Sequence, residues 1–256
     1  MNTTPAAHVP APVSHEIGRS QTDVVVSGVK DLIVSGQLVP GARLPIEKDL
    51  ATILGVSRGP LREGVRALCA MGVLETRRGD GTYVTSLDAN LLLAPMGFMV
   101  DLQTQQSSSD LQSVRRVLES EAAARAALSI GAQTLREAEL ILDRMESDVL
   151  SDGPVNHDAV MDDDIAFHRL VARASKNPAL EALIEALSSR TLRGRMWRAI
   201  SDGGAELTTL AEHRAILRAL AAHEPDAARL RMGTHLLAVE ESLASYDAAP
   251  MAPKSQ

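Results

Sequence analysis

Cysteine and aromatic residues are scarce in this 256-residue chain, and both shortages exclude something. The single thiol, Cys69, cannot close an internal disulfide, which fits a reducing compartment. Phe, Trp and Tyr together make up 2% of the residues, while Leu, Ala and Val dominate. That balance favours helices packed by aliphatic side chains over a β-sandwich. No apolar run approaches the roughly 18 residues of a membrane span. The first residues also lack the basic-then-apolar layout of a secretory signal. A soluble, cytoplasmic protein with no membrane partner is expected. Hydrophobic residues, at 45%, are enough for a sizeable core, and the length suits one large domain or two ordinary ones.

An overall basic charge is lacking too: the formal net charge is −7. The acid is unevenly placed. From Ser20 to Leu87 there are 8 Lys+Arg and 7 Asp+Glu, and the rest of the chain holds 18 and 26. Binding DNA requires a local cationic face, not a basic whole protein, so the N-terminal third stays open to that function.

Residues 1–18 carry Pro5, Pro10 and Pro12 among small polar residues and read as a disordered arm. A first helix is expected from Ser20 to Ser35, where Val25, Val29, Leu32 and Ile33 recur at helical spacing before Gly36. A second runs from Pro45 to Leu54 and is broken by Gly55. A third runs from Ser57, a plausible N-cap, to Met71 and is stopped by Gly72. Short strands at Val73–Arg77 and Thr82–Thr85 flank Arg78-Gly79-Asp80-Gly81, a hairpin turn. The order helix, helix, turn, helix, hairpin places a winged helix-turn-helix at 19–86. Residues 87–109 give mixed signals around Pro95 and Gly97 and read as a linker with room for one short helix. From 110 to 246 the pattern is helical, with breaks near Gly131, Ser151–Pro154, Lys176–Pro178, Ser201–Gly204 and His223–Pro225. About six helices and no strand are expected there, followed by a flexible tail at 247–256. The fold class is mainly α: a winged helix-turn-helix followed by an antiparallel helical bundle.

In the third helix Leu61, Val65 and Leu68 line one face, and Arg58, Arg62 and Arg66 recur on another. A helix entering the major groove needs this layout, because an arginine can bridge guanine O6 and N7 with two hydrogen bonds. Lys48 on the preceding helix can reach phosphate, and the hairpin tip around Arg77 and Arg78 suits a wing. The plainer reading is a solvated, salt-bridged face with Glu63 and Glu75 as partners. Helix order, glycine turn and hairpin together favour DNA.

The stretch LVPGARLPIEKDLATILGVSRGPLREGVRALCAMGVLETRRGDGTYV, Leu38 to Val84, resembles the winged helix of the GntR family of regulators. That family pattern reads PG-x-x-LPSERxLA, VSRxPVREAL and G-x-GT-[FY]-V. The resemblance implies DNA contacts at Lys48, Ser57, Arg58, Arg62 and Gly79, with Arg78 beside them. Three positions depart from the pattern. Ile46 replaces a serine and weakens a helix cap. Lys48 replaces an arginine, exchanging a planar fork for a point charge. Gly59 replaces a threonine and removes a hydroxyl.

In the C-terminal region Asp164 and His168 stand four apart on one helix face, while His213 and His235 each lie on a helix of their own. One carboxylate and three imidazoles suit a divalent metal, but spacing alone does not bring them together, and a lone helical histidine is usually a satisfied core or surface residue. The pieces RRVLESEAAARAA, DIAFHRLVARASKNPAL, EHRAILRAL and MGTHLLAVE resemble the FCD ligand-binding domain of the FadR branch. That resemblance implies a metal on Asp164, His168, His213 and His235, with Zn²⁺ suiting three imidazoles and Ni²⁺ or Mn²⁺ as alternatives. Arg115 shares an inward face with Leu111, Leu118 and Ala122. It reads equally as a clamp for an effector carboxylate and as an internal partner of Glu119 or Glu121.

These readings combine into a regulator that binds a double-stranded operator as a homodimer, since one winged helix reads too few base pairs. Its operator affinity would answer to a small carboxylate or sugar acid held beside the metal, and repression is the commoner sense in such families. Two competitors use the same residues. One is a metal-dependent hydrolase or lyase fused to a DNA-binding domain, though no HExxH-type motif and no evident general base accompany the ligands. The other is a DNA-binding scaffold with a ligand-free helical domain.

Overall fold

A computed structural model describes residues 20–102, 105–151, 155–188 and 206–248. The arm expected at 1–18, the break near Ser201–Gly204 and residues 249–256 of the expected tail lie outside the described residues. The chain divides into two compact units at Ser86/Leu87.

The first unit is built from α1 (Gln21–Val34), α2 (Glu47–Leu54), α3 (Arg58–Ala70), β1 (Leu74–Arg77) and β2 (Gly81–Val84). Ser20 starts α1 with a capping box, its hydroxyl accepting from the Asp23 amide at 3.1 Å while the Asp23 carboxylate accepts from the Ser20 amide at 3.0 Å. Val25 and Val29 are fully buried on the face of α1 that meets α3. Contact there is close, for a Cβ added at Gly64 would lie 2.5 Å from Val25 Cγ1. Gly55 ends α2 in the left-handed conformation. Its amide donates to the Thr52 carbonyl at 3.3 Å and the Val56 amide to the Ala51 carbonyl at 3.0 Å, the paired bonds of a Schellman turn. Gly55-Val56-Ser57 therefore turns the chain from α2 into α3.

β1 and β2 pair antiparallel in the register Leu74↔Val84 to Arg77↔Gly81. Arg43 bridges to Tyr83 from the preceding loop and hydrogen-bonds the Asp80 carbonyl. Gly81 lets the guanidinium pass, since a Cβ there would stand 2.7 Å from Arg43 Nε. The Tyr83 hydroxyl donates to Asp80 at 2.7 Å, which fixes the hairpin tip.

The second unit holds α4 (Ala89–Asp101), α5 (Gln105–Ser129), α6 (Ala132–Val149), α7 (His157–Ala174), α8 (Pro178–Leu187), α9 (Glu206–Ala221) and α10 (Pro225–Ala248). Residues 87–109, expected as a linker, carry α4 and the first turn of α5. Asp88 caps α4 by accepting from the Leu91 amide at 2.9 Å, and α4 packs on α8 despite Pro95 within it. Ala123 and Ala126 of α5 are buried in the core shared with α10, which approaches α5 closely, while Ala122 packs with Ala172, Leu180 and Ile184 of α7 and α8. Gly233 of α10 would place a Cβ 3.1 Å from Ser120 Oγ. Leu142, Met145, Phe167, Ile216, Leu220 and Met232 close the core between α6, α7, α9 and α10. Among the described residues no helix is long and apolar enough to cross a membrane.

Candidate DNA interface and metal centre

In the first unit Lys48, Ser57, Arg58, Arg62, Arg78 and Gly79 are all exposed. Leu61 and Leu68 are buried on the opposite side of α3, which leaves the arginine row facing out. Ser57 occupies the N-cap position of α3 but makes no side-chain cap bond, so its hydroxyl stands at the positive end of the helix dipole. Pro60 falls where a helix has no intrahelical amide bond to lose. Ile46 is the N-cap of α2 and offers no cap bond, as its side chain dictates.

The ion pairs match those the sequence suggested only at Glu75. Glu63 accepts from the Thr22 hydroxyl at 3.1 Å and Glu75 takes Arg77. Arg62 instead pairs with Glu47 of α2, Nε and Nη2 both lying 2.9 Å from its carboxylate oxygens. That contact holds the Glu47 carboxyl below its ordinary value and raises the Arg62 guanidinium further. Arg77 also lies over the Tyr83 ring, 4.1 Å from its centroid, so Arg78 is the wing arginine without a described partner. The Glu47 partner of Arg62 comes from the neighbouring helix, and its placement is revealed only by the folded chain.

In the second unit α7 projects Asp164 and His168 from one face, α9 contributes His213 and α10 His235. One ligating atom from each lies within 4.8 Å of all the others, and all four residues are buried. His168 Nε2 is 3.6 Å and His213 Nε2 3.5 Å from Asp164 Oδ1. His213 Nε2 and His235 Nε2 are 3.2 Å apart. Bonds to Zn²⁺ of about 2.0–2.1 Å put two nitrogens on one ion roughly 3 Å apart, so this donor set fits a single small divalent cation. Glu119 of α5 accepts from His168 Nδ1, and Glu212 of α9 accepts from His235 Nδ1 at 2.8 Å. A carboxylate only accepts, so each of these rings carries its proton on Nδ1 and keeps Nε2 for the cluster. Phe167 covers one side, its ring centroid 4.8 Å from that of His213.

Arg115 is fully buried on α5. Its Nε donates to Glu119, the same carboxylate that holds His168, and its Nη1 donates to Gln112 at 3.2 Å. The internal pairing with Glu119 is therefore present, and it joins Arg115 to the histidine cluster through one shared carboxylate. The sequence offered no sign of Glu119 and Glu212 as partners of histidines 49 and 23 residues away.

Residues 21–84 match the family described as bacterial regulatory proteins, gntR family, and residues 110–238 match the FCD domain. The chain belongs to the GntR family. The HTH-type transcriptional regulator LutR of Bacillus subtilis is 32% identical over 222 residues, covering 84% of this chain and 97% of LutR. The galactonate operon transcriptional repressor of Escherichia coli is 30% identical over 217 residues, 82% of this chain and 90% of the repressor. A solved GntR structure from Streptococcus agalactiae aligns with a TM-score of 0.55 and 28% identity over 86% of this chain and 99% of its own. This GntR protein is thus a transcriptional regulator with a winged helix-turn-helix and an FCD domain. The family and these relatives are regulators, which removes the hydrolase or lyase alternative.

Proposed function

We propose that this GntR regulator is a cytoplasmic, metabolite-responsive repressor that binds a two-fold-related operator as a homodimer. It releases the operator when a small carboxylate or sugar acid binds beside a divalent metal in the FCD domain. The observation that carries the sensing half is the buried convergence of Asp164, His168, His213 and His235 within 4.8 Å. Zinc is the preferred ion for three imidazoles, with nickel and manganese as alternatives. When bound, the metal supplies a Lewis-acid anchor for an effector oxygen. Arg115 supplies a second cationic group next to His168 through Glu119. The relative named for a galactonate operon supports an acid effector of this class.

On the DNA side, α3 enters the major groove with Arg58 and Arg62 toward base edges. Lys48 and Ser57 reach phosphate, while Gly79 and Arg78 form the tip of the wing. Their shared exposure on α2, α3 and the hairpin supports this arrangement. Repression would be relieved because the effector favours one arrangement of the dimer over the other. The test is operator affinity of the metal-loaded full-length chain, using a duplex enriched from a random pool, across hydroxy and sugar acids that include galactonate. At least one acid is expected to weaken binding. If metal is bound but no acid changes DNA affinity, the sensing role is wrong.

A further inference from the structure

Arg58 and Arg62 lie one turn apart on α3, yet their surroundings differ. Arg58 has no hydrogen-bond or ion-pair partner among the described residues. Arg62 is held on one edge: Nε stands 2.9 Å and 3.1 Å from the two Glu47 oxygens, and Nη2 stands 2.9 Å from Oε2. Glu47 opens α2 and lines, with Arg43, Arg62 and Arg66, a groove of about 500 Å³ between α2, α3 and the hairpin.

A guanidinium has two edges able to form paired hydrogen bonds, Nε/Nη2 and Nη1/Nη2. Glu47 occupies the first and leaves the second open. A carboxylate beside a DNA-facing arginine also repels phosphate and lowers affinity for DNA of any sequence, so its placement there calls for a compensating role. We propose that Glu47 is a positioning residue for base reading. It grips Arg62 by one edge so that the Nη1/Nη2 edge is offered, already ordered, to O6 and N7 of a guanine. The ordering cost is met in the free protein, and the arginine cannot swing away to a phosphate. This inference rests on the proposed entry of α3 into the major groove. The competing role for Glu47 is a tie between α2 and α3, which would act on every DNA sequence alike.

The experiment uses the full-length chain and its variants to select duplexes from a random pool. Affinities for the enriched duplex and its single-base replacements are then measured. Arg62→Ala should lose about tenfold or more of the preference for guanine at one position of each half-site. Glu47→Gln should lose most of that same preference at that position alone, and should bind unrelated duplexes more tightly with a steeper salt dependence. Glu47→Asp keeps the charge and loses the reach, so it should lose the preference without gaining affinity for unrelated DNA. The double variant should show no further loss at that base beyond Arg62→Ala. Full guanine preference in Glu47→Gln overturns the proposal, as does an equal loss at every position. If neither Arg58→Ala nor Arg62→Ala alters the selected sequence while Glu47→Gln is also silent, α3 is not the reading element and the proposal falls with that reading.

Discussion

Glu119 and Glu212 decide which nitrogen His168 and His235 offer to the cluster, although neither belongs to the four-residue set. Such carboxylates orient imidazole ligands and raise their basicity, and losing one typically costs about 10–100-fold in metal affinity. Glu212→Gln keeps an acceptor oxygen but removes the charge. Its zinc affinity, measured by chelator competition, should fall within that range with the ion still bound in stoichiometric amount. Unchanged affinity would mean that Glu212 only fills space. Part of this site is legible in the sequence. Asp164 and His168 declare a shared face by their spacing, and Arg115 declares Glu119 in the same way. Glu212, by contrast, adjoins His213 in the chain but serves His235, because adjacent residues on a helix point about 100° apart and the partner comes from α10. At the DNA face, Arg58→Ala and Arg62→Ala should each cost on the order of 1–3 kcal/mol of specific operator affinity. Electrophoretic mobility shifts that leave the double variant equal to the parent would remove α3 from the recognition scheme.

Helix ends were the most readable elements, because they depend on local chemistry. Gly55 and Gly72 take positive φ where α2 and α3 stop, and Ser20 caps α1 as its side chain allows. Ile46 shows the same rule by default. It holds the N-cap position of α2 at 64% exposure and makes no side-chain cap bond, which a hydroxyl there would supply. Ile46→Ser should stabilise the winged helix by about 1 kcal/mol, read as a rise in the urea midpoint. A fall would show that Ile46 contributes more by covering the groove beside α3 than a cap returns. Packing was less readable. Gly64 resembles a helix weakness in sequence, whereas in the fold it is where α1 meets α3, with Val25 Cγ1 and Cβ at 2.5 and 2.6 Å from an added Cβ. Gly64→Ala should therefore cost about 1–3 kcal/mol through overpacking. Val25→Ala in the same chain should recover part of it, and simple additivity of the two losses would count against this contact. The span 87–109 was legible only in part for a related reason. Pro95 and Gly97 interrupt the periodicity, yet α4 is held by its Asp88 cap and by α8, and only the tertiary partner reveals that.

For the whole molecule, the uneven charge reflects a division of labour. The winged helix carries a balance of +1 and the rest of the chain −8, and the FCD domain buries part of that acid. Glu119 and Asp164 are buried with histidine or arginine partners, and Asp163 binds Arg144 at 2.6 Å. Net charge thus argues weakly against DNA binding when acid is consumed by a buried site in another domain. DNA reading and sensing, under the proposed function, rest on separate residue sets, one in each compact unit, and should be separable by mutation. Under the proposed function, His213→Ala removes a cluster ligand from the core of α9 without touching α2, α3 or the hairpin. Operator affinity of the unliganded variant should stay within about twofold of the parent, since effects at distant, independent sites add to within roughly 0.5 kcal/mol. Its response to an acid effector should largely vanish. Arg115→Ala should retain metal but require more effector for the same loss of DNA binding, because one of two cationic anchors is gone. Since Glu119 would lose its buried arginine in that variant, circular dichroism and metal content must match the parent before the comparison is read. Linkage then gives the final check: an effector that weakens operator binding must itself bind more weakly to the operator complex, by the same factor. Equal effector affinity for the free and operator-bound protein, found together with an undiminished response in His213→Ala, would place the sensing site away from this cluster and leave the metal a structural role.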